Sequence, residues 1–463
     1  SELADTIPIY GFHSGSTPKE KRFLWQQLIT QQSQLIIGVH LPIMLPIANL
    51  GLIIVDEEHE VGYQEKKHPK MNTKDVSILR ASMYNIPLLL GSATPSLQTL
   101  HNVKKRNWHF FQLKNRFAGS FPTIKTVLLT DKKERHNFWV SQTLYYAIKD
   151  RLQKKEQTII FLNRRGFSFF VQCKLCSFIF SCCACSVSLT LHANNILTCH
   201  YCGATQKQPT RCPDCGADEK EFFKKGIGTQ QVVAILEKQF PQARIARADL
   251  DITIKKKKWE QTMHDFMQGT IDILVGTQTI TKGYDFPNVT LIGVLWADLN
   301  LHFPIFNAAE TTLQQLIQVA GRAGRFCHES TVIVQAMSDH PIFSYLTETD
   351  YLRFYQQELK TREILGYPPS KRLVEIELKC TDETIIDDEA QRIANHLTAA
   401  IEQKKWSIQL LGPAKPPVYK IKHIHVRKMY LKADRMQDMI ALFRSIDTHS
   451  YRSSVFFVPN PVT

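Results

Sequence analysis

The sequence predicts an α/β chain interrupted by a cysteine-rich module and closed by an α+β domain. Three observations point there. Short apolar runs end abruptly in polar turns, as buried parallel strands do: Leu52-Ile53-Ile54-Val55, Pro87-Leu88-Leu89-Leu90 and Ile271-Asp272-Ile273-Leu274-Val275. Nine of the 11 cysteines fall between positions 173 and 215. Past position 341 the pattern changes, with Pro368-Pro369 near the start of a last segment. A length of 463 residues fits about three domains.

Composition narrows the classes. With 43% hydrophobic and 22% charged residues, the chain can bury several cores without disulfides. A formal net charge of +14 and a pI near 9.2 favour an anionic partner, nucleic acid first. No stretch approaches the roughly 18 consecutive apolar residues of a membrane span. No charged segment followed by an apolar run opens the chain, so no secretory signal is read. The first residue is Ser1, and the expectation is a piece of something longer.

Eight cysteines form four CxxC pairs: Cys173/Cys176, Cys182/Cys185, Cys199/Cys202 and Cys212/Cys215, with Cys183 left over. In a long chain without an export signal they read as thiolate sites for zinc, with iron–sulfur and redox chemistry as alternatives. Only five residues separate Cys176 from Cys182, short for two knuckles closing on one ion, whereas 13 separate Cys185 from Cys199. The spacing therefore predicts nested sites: 182/185 with 199/202 inside, 173/176 with 212/215 outside. Two closed four-thiolate sites are structural rather than catalytic. His192 and His200 read as spare ligands or as surface histidines.

Each apolar run leads into residues with chemistry. Asp56-Glu57-Glu58-His59 follows the first. Carboxylates at the C-terminal edge of a parallel strand stand where nucleotide sites form. Asp56 suits a Mg²⁺ ligand, Glu57 a group that orients or deprotonates water, and Glu58 and His59 neighbours of the cofactor. The plainer reading is an acidic loop. Ser92 and Thr94 follow the second run, as a hinge that senses the adjacent site or as an ordinary turn. The third enters a loop with Thr277, Gln278, Lys282 and Asp285, suited to DNA phosphates and, at Asp285, to a ribose, or simply polar. Last, Gln318, Arg322 and Arg325 share one face if their segment is helical, and a guanidinium there suits a γ-phosphate; a solvated basic helix end is the alternative. Lys255 to Lys258, beside Trp259, reads as a phosphate contact or a solvated helix start.

In this order these segments resemble superfamily 2 helicases. CxxC-x5-CxxC followed by CHYC and CPDC narrows the match: the chain resembles the primosomal protein N′ (PriA) family of bacterial replication-restart helicases. FLNRRGFS at 161–168, GIGTQQ at 226–231, DFPNVTLIGVL at 285–295 and GYPP at 366–369 extend it from about residue 10 to 420. The resemblance implies two RecA-like lobes, the first incomplete: 1–115 the remainder of lobe one, 116–170 the start of lobe two, 171–222 the two-zinc insertion, 223–340 the rest of lobe two, and 341–463 a C-terminal domain that binds DNA or partners. It implies ATP with Mg²⁺ at Asp56 and Glu57, coupling through Ser92 and Thr94, and Gln318, Arg322 and Arg325 facing ATP. It also implies 3′-to-5′ movement on single-stranded and forked DNA, primosome proteins and single-stranded DNA-binding protein as partners, and a cytoplasmic, nucleoid-associated location.

The chain also departs from the family. It has no GxxxxGK[ST] and no Gly-Lys dipeptide. The family places that loop farther upstream of the acidic motif than the 55 residues here, so an N-terminal truncation is expected. Gly38-Val39-His40-Leu41-Pro42 stands where a GTRSA-like segment is usual, and Gly293-Val294-Leu295-Trp296-Ala297-Asp298 where GVLDAD is. A zinc-stabilised DNA- or partner-binding fragment without ATPase activity is the other reading.

Overall fold

The computed structural model describes residues 7–461 except 14, 31, 66–69, 114–119, 135, 137–138, 163–169, 174, 177, 186, 192–194, 200–203, 226–228, 249–255, 282–283, 285, 303–304, 325–328 and 348. The chain divides into two compact units, Ser1–Asn107 and Trp108–Pro461.

In the first unit, β1 (Ile9–Gly11) and β2 (Leu35–Ile37) pair in parallel on either side of α1 (Pro18–Thr30) in sequence. Strands β3 (Ile53–Val55) and β4 (Leu88–Leu90) also pair in parallel, connected through α2 (Thr73–Tyr84). Local chemistry sets the ends of α2: Asn72 caps its start by accepting from the Asp75 amide, and Asn85 leaves it at φ 52°, a left-handed turn that asparagine tolerates. Ser96 caps α3 (Leu97–Lys105) in the same way. Ile53, Val55 and Ala81 pack with Ile43, Leu50, Leu88 and Leu90. The alternate residues of both strands face outward.

The second unit contains β5 (Thr123–Leu128), α4 (Gln142–Gln153) and β6 (Gln157–Leu162) before the cysteine-rich module. The module holds β7 (Phe170–Cys173), β8 (Thr190–Leu191), β9 (Ile196–Thr198), β10 (Thr205–Lys207) and β11 (Phe222–Lys225). β7 pairs antiparallel with β11, so the module leaves the chain where it entered. Then come α5 (Thr229–Gln239), β12 (Ile245–Ala248), α6 (Lys256–Met267), β13 (Ile273–Gly276), β14 (Val289–Leu295), α7 (Ala308–Ala320) and β15 (Thr331–Ala336). The sheet runs β12-β13-β6-β14-β15-β5 with every pairing parallel. Every residue of β6, β13 and β14 is buried, which is why these strands read as continuous apolar runs rather than alternating ones. Leu144 and Ile148 of α4 and Val232 and Leu236 of α5 join Ile160, Val275 and Leu291 in one core. A Cβ at Gly293 would lie 2.8 Å from Leu144 Cδ1 and 2.9 Å from Ile160 Cδ1, so a larger residue there would push those two side-chain ends aside.

Beyond α8 (Tyr351–Leu365) lies the α+β portion: β16 (Arg372–Cys380), α9 (Glu383–Lys404), β17 (Gln409–Ala414), β18 (Lys420–Ile421), β19 (Ile424–Ala433), α10 (Met436–Phe443) and β20 (Ser454–Pro459). Its antiparallel sheet runs β17-β19-β16-β20, with β18 folded back on β19. Ile386, Ile393 and Leu397 of α9 and Met439 and Leu442 of α10 pack against Val374, Ile376, Met429 and Leu431. Among the described residues, no helix is long and apolar enough to cross a membrane.

Candidate functional site

Register decides what the first unit presents. Ile53 lies opposite Leu88 and Val55 opposite Leu90, so β3 and β4 end level and their following turns emerge side by side. Backbone bonds stitch the two turns together: Gly91 N to Val55 O, 2.9 Å, and Glu58 N to Gly91 O, 3.0 Å. A Cβ at Gly91 would meet Asp56 Oδ1 at 3.3 Å, so a larger residue would crowd that carboxylate.

Asp56 is exposed, and its Oδ1 accepts from the Glu57 amide at 2.9 Å. Glu57 sits at φ 47°, a left-handed conformation that glutamate adopts only at a cost of about 1–3 kcal/mol and that clusters at functional sites. Tyr63 donates its hydroxyl to the Asp56 carbonyl at 2.7 Å. Burial, then the Asp56 charge, push the Tyr63 pKa up, which keeps that donor protonated. His59 Nδ1 meets Ser92 Oγ at 2.7 Å, and the same Ser92 oxygen accepts from the Thr94 amide at 3.0 Å. The expected hinge residues are thus wired to the acidic turn through His59.

Glu58 departs from the expected cofactor contact. Its carboxylate is buried and turned inward, accepting from Lys74 Nζ at 2.8 Å, Ser96 N at 2.6 Å, Ser96 Oγ at 3.1 Å and Thr99 Oγ1 at 2.8 Å. Burial alone would raise its pKa, but the Lys74 ammonium and these hydrogen bonds outweigh it and hold the carboxyl below its ordinary value. Glu58 ties α2 and α3 to the turn. Lys74, Ser96 and Thr99 carry no motif-like spacing that would have marked them.

In the second unit, Thr277 and Gln278 follow β13, with Ile280 N donating to Thr277 O at 3.1 Å to start a short 3₁₀ turn. Lys282, Asp285 and Arg325 lie outside the described residues, as do His192, His200 and Cys202. The helix expected through the arginines stops early. α7 ends at Ala320 with Gly321 as its cap, so Gln318 is helical and Arg322 is not. The chain tightens into i→i−3 bonds, Arg322 N to Val319 O and Ala323 N to Ala320 O, and Gly324 takes φ +73°, which a right-handed helix cannot continue. Arg322 Nη1 then donates to Tyr284 O at 3.0 Å, so this turn and the loop after β13 are brought together by a bond that helical spacing does not predict.

The cysteines form two groups, Cys173, Cys176, Cys212 and Cys215 in one and Cys182, Cys185 and Cys199 in the other, with all ligand atoms of each within 4.8 Å. This is the nested arrangement. Cys173 Sγ lies 3.6 Å from Cys215 Sγ, and Cys176 Sγ 3.6 Å from Cys212 Sγ. Tetrahedral zinc with bonds of about 2.3 Å requires sulfur edges of about 3.8 Å, so the thiols fit. Each knuckle closes by the same bond, from the amide of its first cysteine to the carbonyl five residues on: Cys173 to Phe178 and Cys182 to Val187 at 2.9 Å, Cys199 to Ala204 and Cys212 to Ala217 at 2.8 Å. The Cys176 amide, foremost, lowers the Cys173 thiol to about 7. At Cys176 the Phe178 amide pulls down, but burial and the crowding thiols prevail and push it up. Cys183 is exposed and belongs to neither group.

Two family descriptions match this architecture: "Helicase conserved C-terminal domain" over residues 223–327 and "PriA DNA helicase Cys-rich region (CRR) domain" over 182–207. The chain is similar to Replication restart protein PriA of Bacillus subtilis, 37% identical over 95% of this chain and 54% of that protein. It is similar to the protein of the same name in Haemophilus influenzae, 34% identical over 89% of this chain and 56% of that one. RecG bound to a three-way DNA junction overlaps 78% of this chain and 37% of its own at 15% identity, but a TM-score of 0.39 is too low to carry any argument. The chain spans little more than half the length of these two curated relatives. With its cysteine-rich module and its helicase-type sheet matched within an alignment that runs nearly from end to end, the chain belongs to the PriA family of replication restart proteins.

Proposed function

We propose that this chain contributes the acidic turn, the coupling residues and the arginines of an ATP-driven DNA helicase that moves 3′ to 5′ at stalled forks. The observation that supports this most is the level ending of β3 and β4, which sets Asp56 and Glu57 beside Ser92 and links them through His59. In this reading Asp56 holds Mg²⁺, Glu57 activates water, and Arg322 and Arg325 face the γ-phosphate. Thr277, Gln278 and Lys282 contact DNA, Asp285 accepts from the ribose of the nucleotide, and Gln318 faces ATP. The cysteine groups hold two structural Zn²⁺, which lock the module's fold when bound. Single-stranded and forked DNA, primosome proteins and single-stranded DNA-binding protein are the partners, in the cytoplasm beside the nucleoid.

The test is Glu57→Gln in the native protein that carries this chain. ATP binding should persist while DNA-stimulated hydrolysis disappears; unchanged turnover overturns the assignment. Metal content read on the same preparation should be two zinc ions per chain, and one or none overturns the metal reading. A second reading, a zinc-stabilised fragment that binds DNA or partners without hydrolysis, is favoured by one feature: these 463 residues contain no GxxxxGK[ST] to cradle phosphates. Fork binding with no ATPase in the native protein would decide for it.

A further inference from the structure

The inner cysteine group touches a part of the chain far from it in sequence. β18 and β19 form a hairpin, Lys420 opposite His425 and Ile421 opposite Ile424, joined by the two-residue turn Lys422-His423. Both turn residues have positive φ, 50° and 63°. Such a turn ordinarily carries Asn-Gly or Gly-Gly, because side chains disfavour that conformation. Strained backbone persists where its surroundings hold it in place.

Those surroundings are the Cys182–Cys185 knuckle. The Lys422 amide points at Cys185 Sγ, 3.3 Å away across 237 residues of sequence. The next amide, of His423, donates to Ala184 O at 2.8 Å. Ile421 packs against the apolar cluster that contains Cys182, Cys185 and Cys199. The positive φ values turn two successive amides toward the knuckle. The segment Tyr419-Lys420-Ile421-Lys422-His423 is basic, complementary to the formal −2 of a zinc ion with four thiolates.

We propose that the tip of this hairpin is an outer-shell support of the inner metal site: the Lys422 amide steadies Cys185 as a ligand, and metal loading and hairpin docking stabilise each other. The inference rests on the zinc reading above. Amides that hydrogen-bond ligating groups orient them, and losing such outer-shell partners typically weakens metal binding by about 10- to 100-fold. Linkage requires the reverse effect, so an intact inner site should protect the hairpin. The outer site, whose described amide partners Leu175, Cys176, Phe178 and Ala217 belong to its own knuckles and not to the hairpin, should not.

Two measurements on the full chain test this. The first is release of zinc to a chromogenic chelator. Lys422→Pro removes the amide hydrogen and cannot adopt the positive φ, whereas Lys422→Gly keeps both. Lys422→Pro should release one of its two ions about tenfold faster and the other at the wild-type rate, and Lys422→Gly should release both slowly. Wild-type rates in Lys422→Pro overturn the proposal. The second needs no change in the hairpin: hydrogen exchange at residues 420–425 in Cys182→Ser and Cys173→Ser. Protection should fall in Cys182→Ser and survive in Cys173→Ser. Equal protection in the two overturns the proposal, even where Lys422→Pro fails to fold. A wild-type chain with fewer than two zinc ions would instead fail the reading beneath it.

Discussion

The strands of the two units carry the same kind of apolar run and end up in different surroundings. In the second unit, β6, β13 and β14 are buried at every residue. In the first unit only alternate residues of β3 are buried; Ile54 is 55% exposed, and Leu89 of β4 is 53% exposed. A continuous apolar run therefore marks a parallel strand without guaranteeing cover on both faces. What holds the first unit's turn to its helices is polar: the buried carboxylate of Glu58 with Lys74, Ser96 and Thr99. The second unit relies on apolar packing, with α4 and α5 set against a six-stranded parallel sheet.

The largest effect expected from this contrast is in the first unit. Lys74→Ala leaves Glu58 as an uncompensated buried charge and should cost about 3–5 kcal/mol. Hydrogen exchange should speed up across α2, α3 and the acidic turn while the second unit's sheet stays protected; uniform exchange would erase the contrast. In the second unit, Leu144→Ala opens a cavity under β14 and should cost about 2–5 kcal/mol, read as a fall in the unfolding midpoint of that unit.

Acid should act on the first unit more gently than the loss of Lys74. The folded pKa of Glu58 lies below its ordinary 4.5, so the stability it contributes is complete above that pH and drains away as pH falls through the depressed value. Acid titration followed by exchange should loosen α2, α3 and the acidic turn as pH falls through that value, and Glu58→Gln should remove that dependence. The smallest effect is at the bare face: Ile54→Ser should change stability by less than about 0.5 kcal/mol. A larger loss would mean that the face is covered in the working protein.

The cysteine pairing was legible because loop length limits which knuckles can close on one ion, and the spacings around Cys176, Cys182, Cys185 and Cys199 leave little choice. The strands β3, β4 and β13 were legible because burial leaves an apolar record, and the acidic and hydroxyl turns because they follow those strands directly. The inward turn of Glu58 was not, since adjacent carboxylates look alike until a neighbouring lysine selects one. The helix expected through Arg322 failed because the spacing of Gln318, Arg322 and Arg325 suggested a shared face, while Gly321 and Gly324 ended the helix first.

By itself the sequence determined the local features of this protein: the ends of its strands, the closure of its CxxC knuckles and the residue types offered at each turn. Only the tertiary structure decided which of those features meet. His59 reaches Ser92 because β3 and β4 are in register, Arg322 reaches Tyr284 because a helix stops at Ala320, and Lys422 reaches Cys185 because a hairpin folds back across 237 residues. Contacts of that kind leave no periodicity in the chain, since the two partners are matched by packing in three dimensions and by nothing in their spacing.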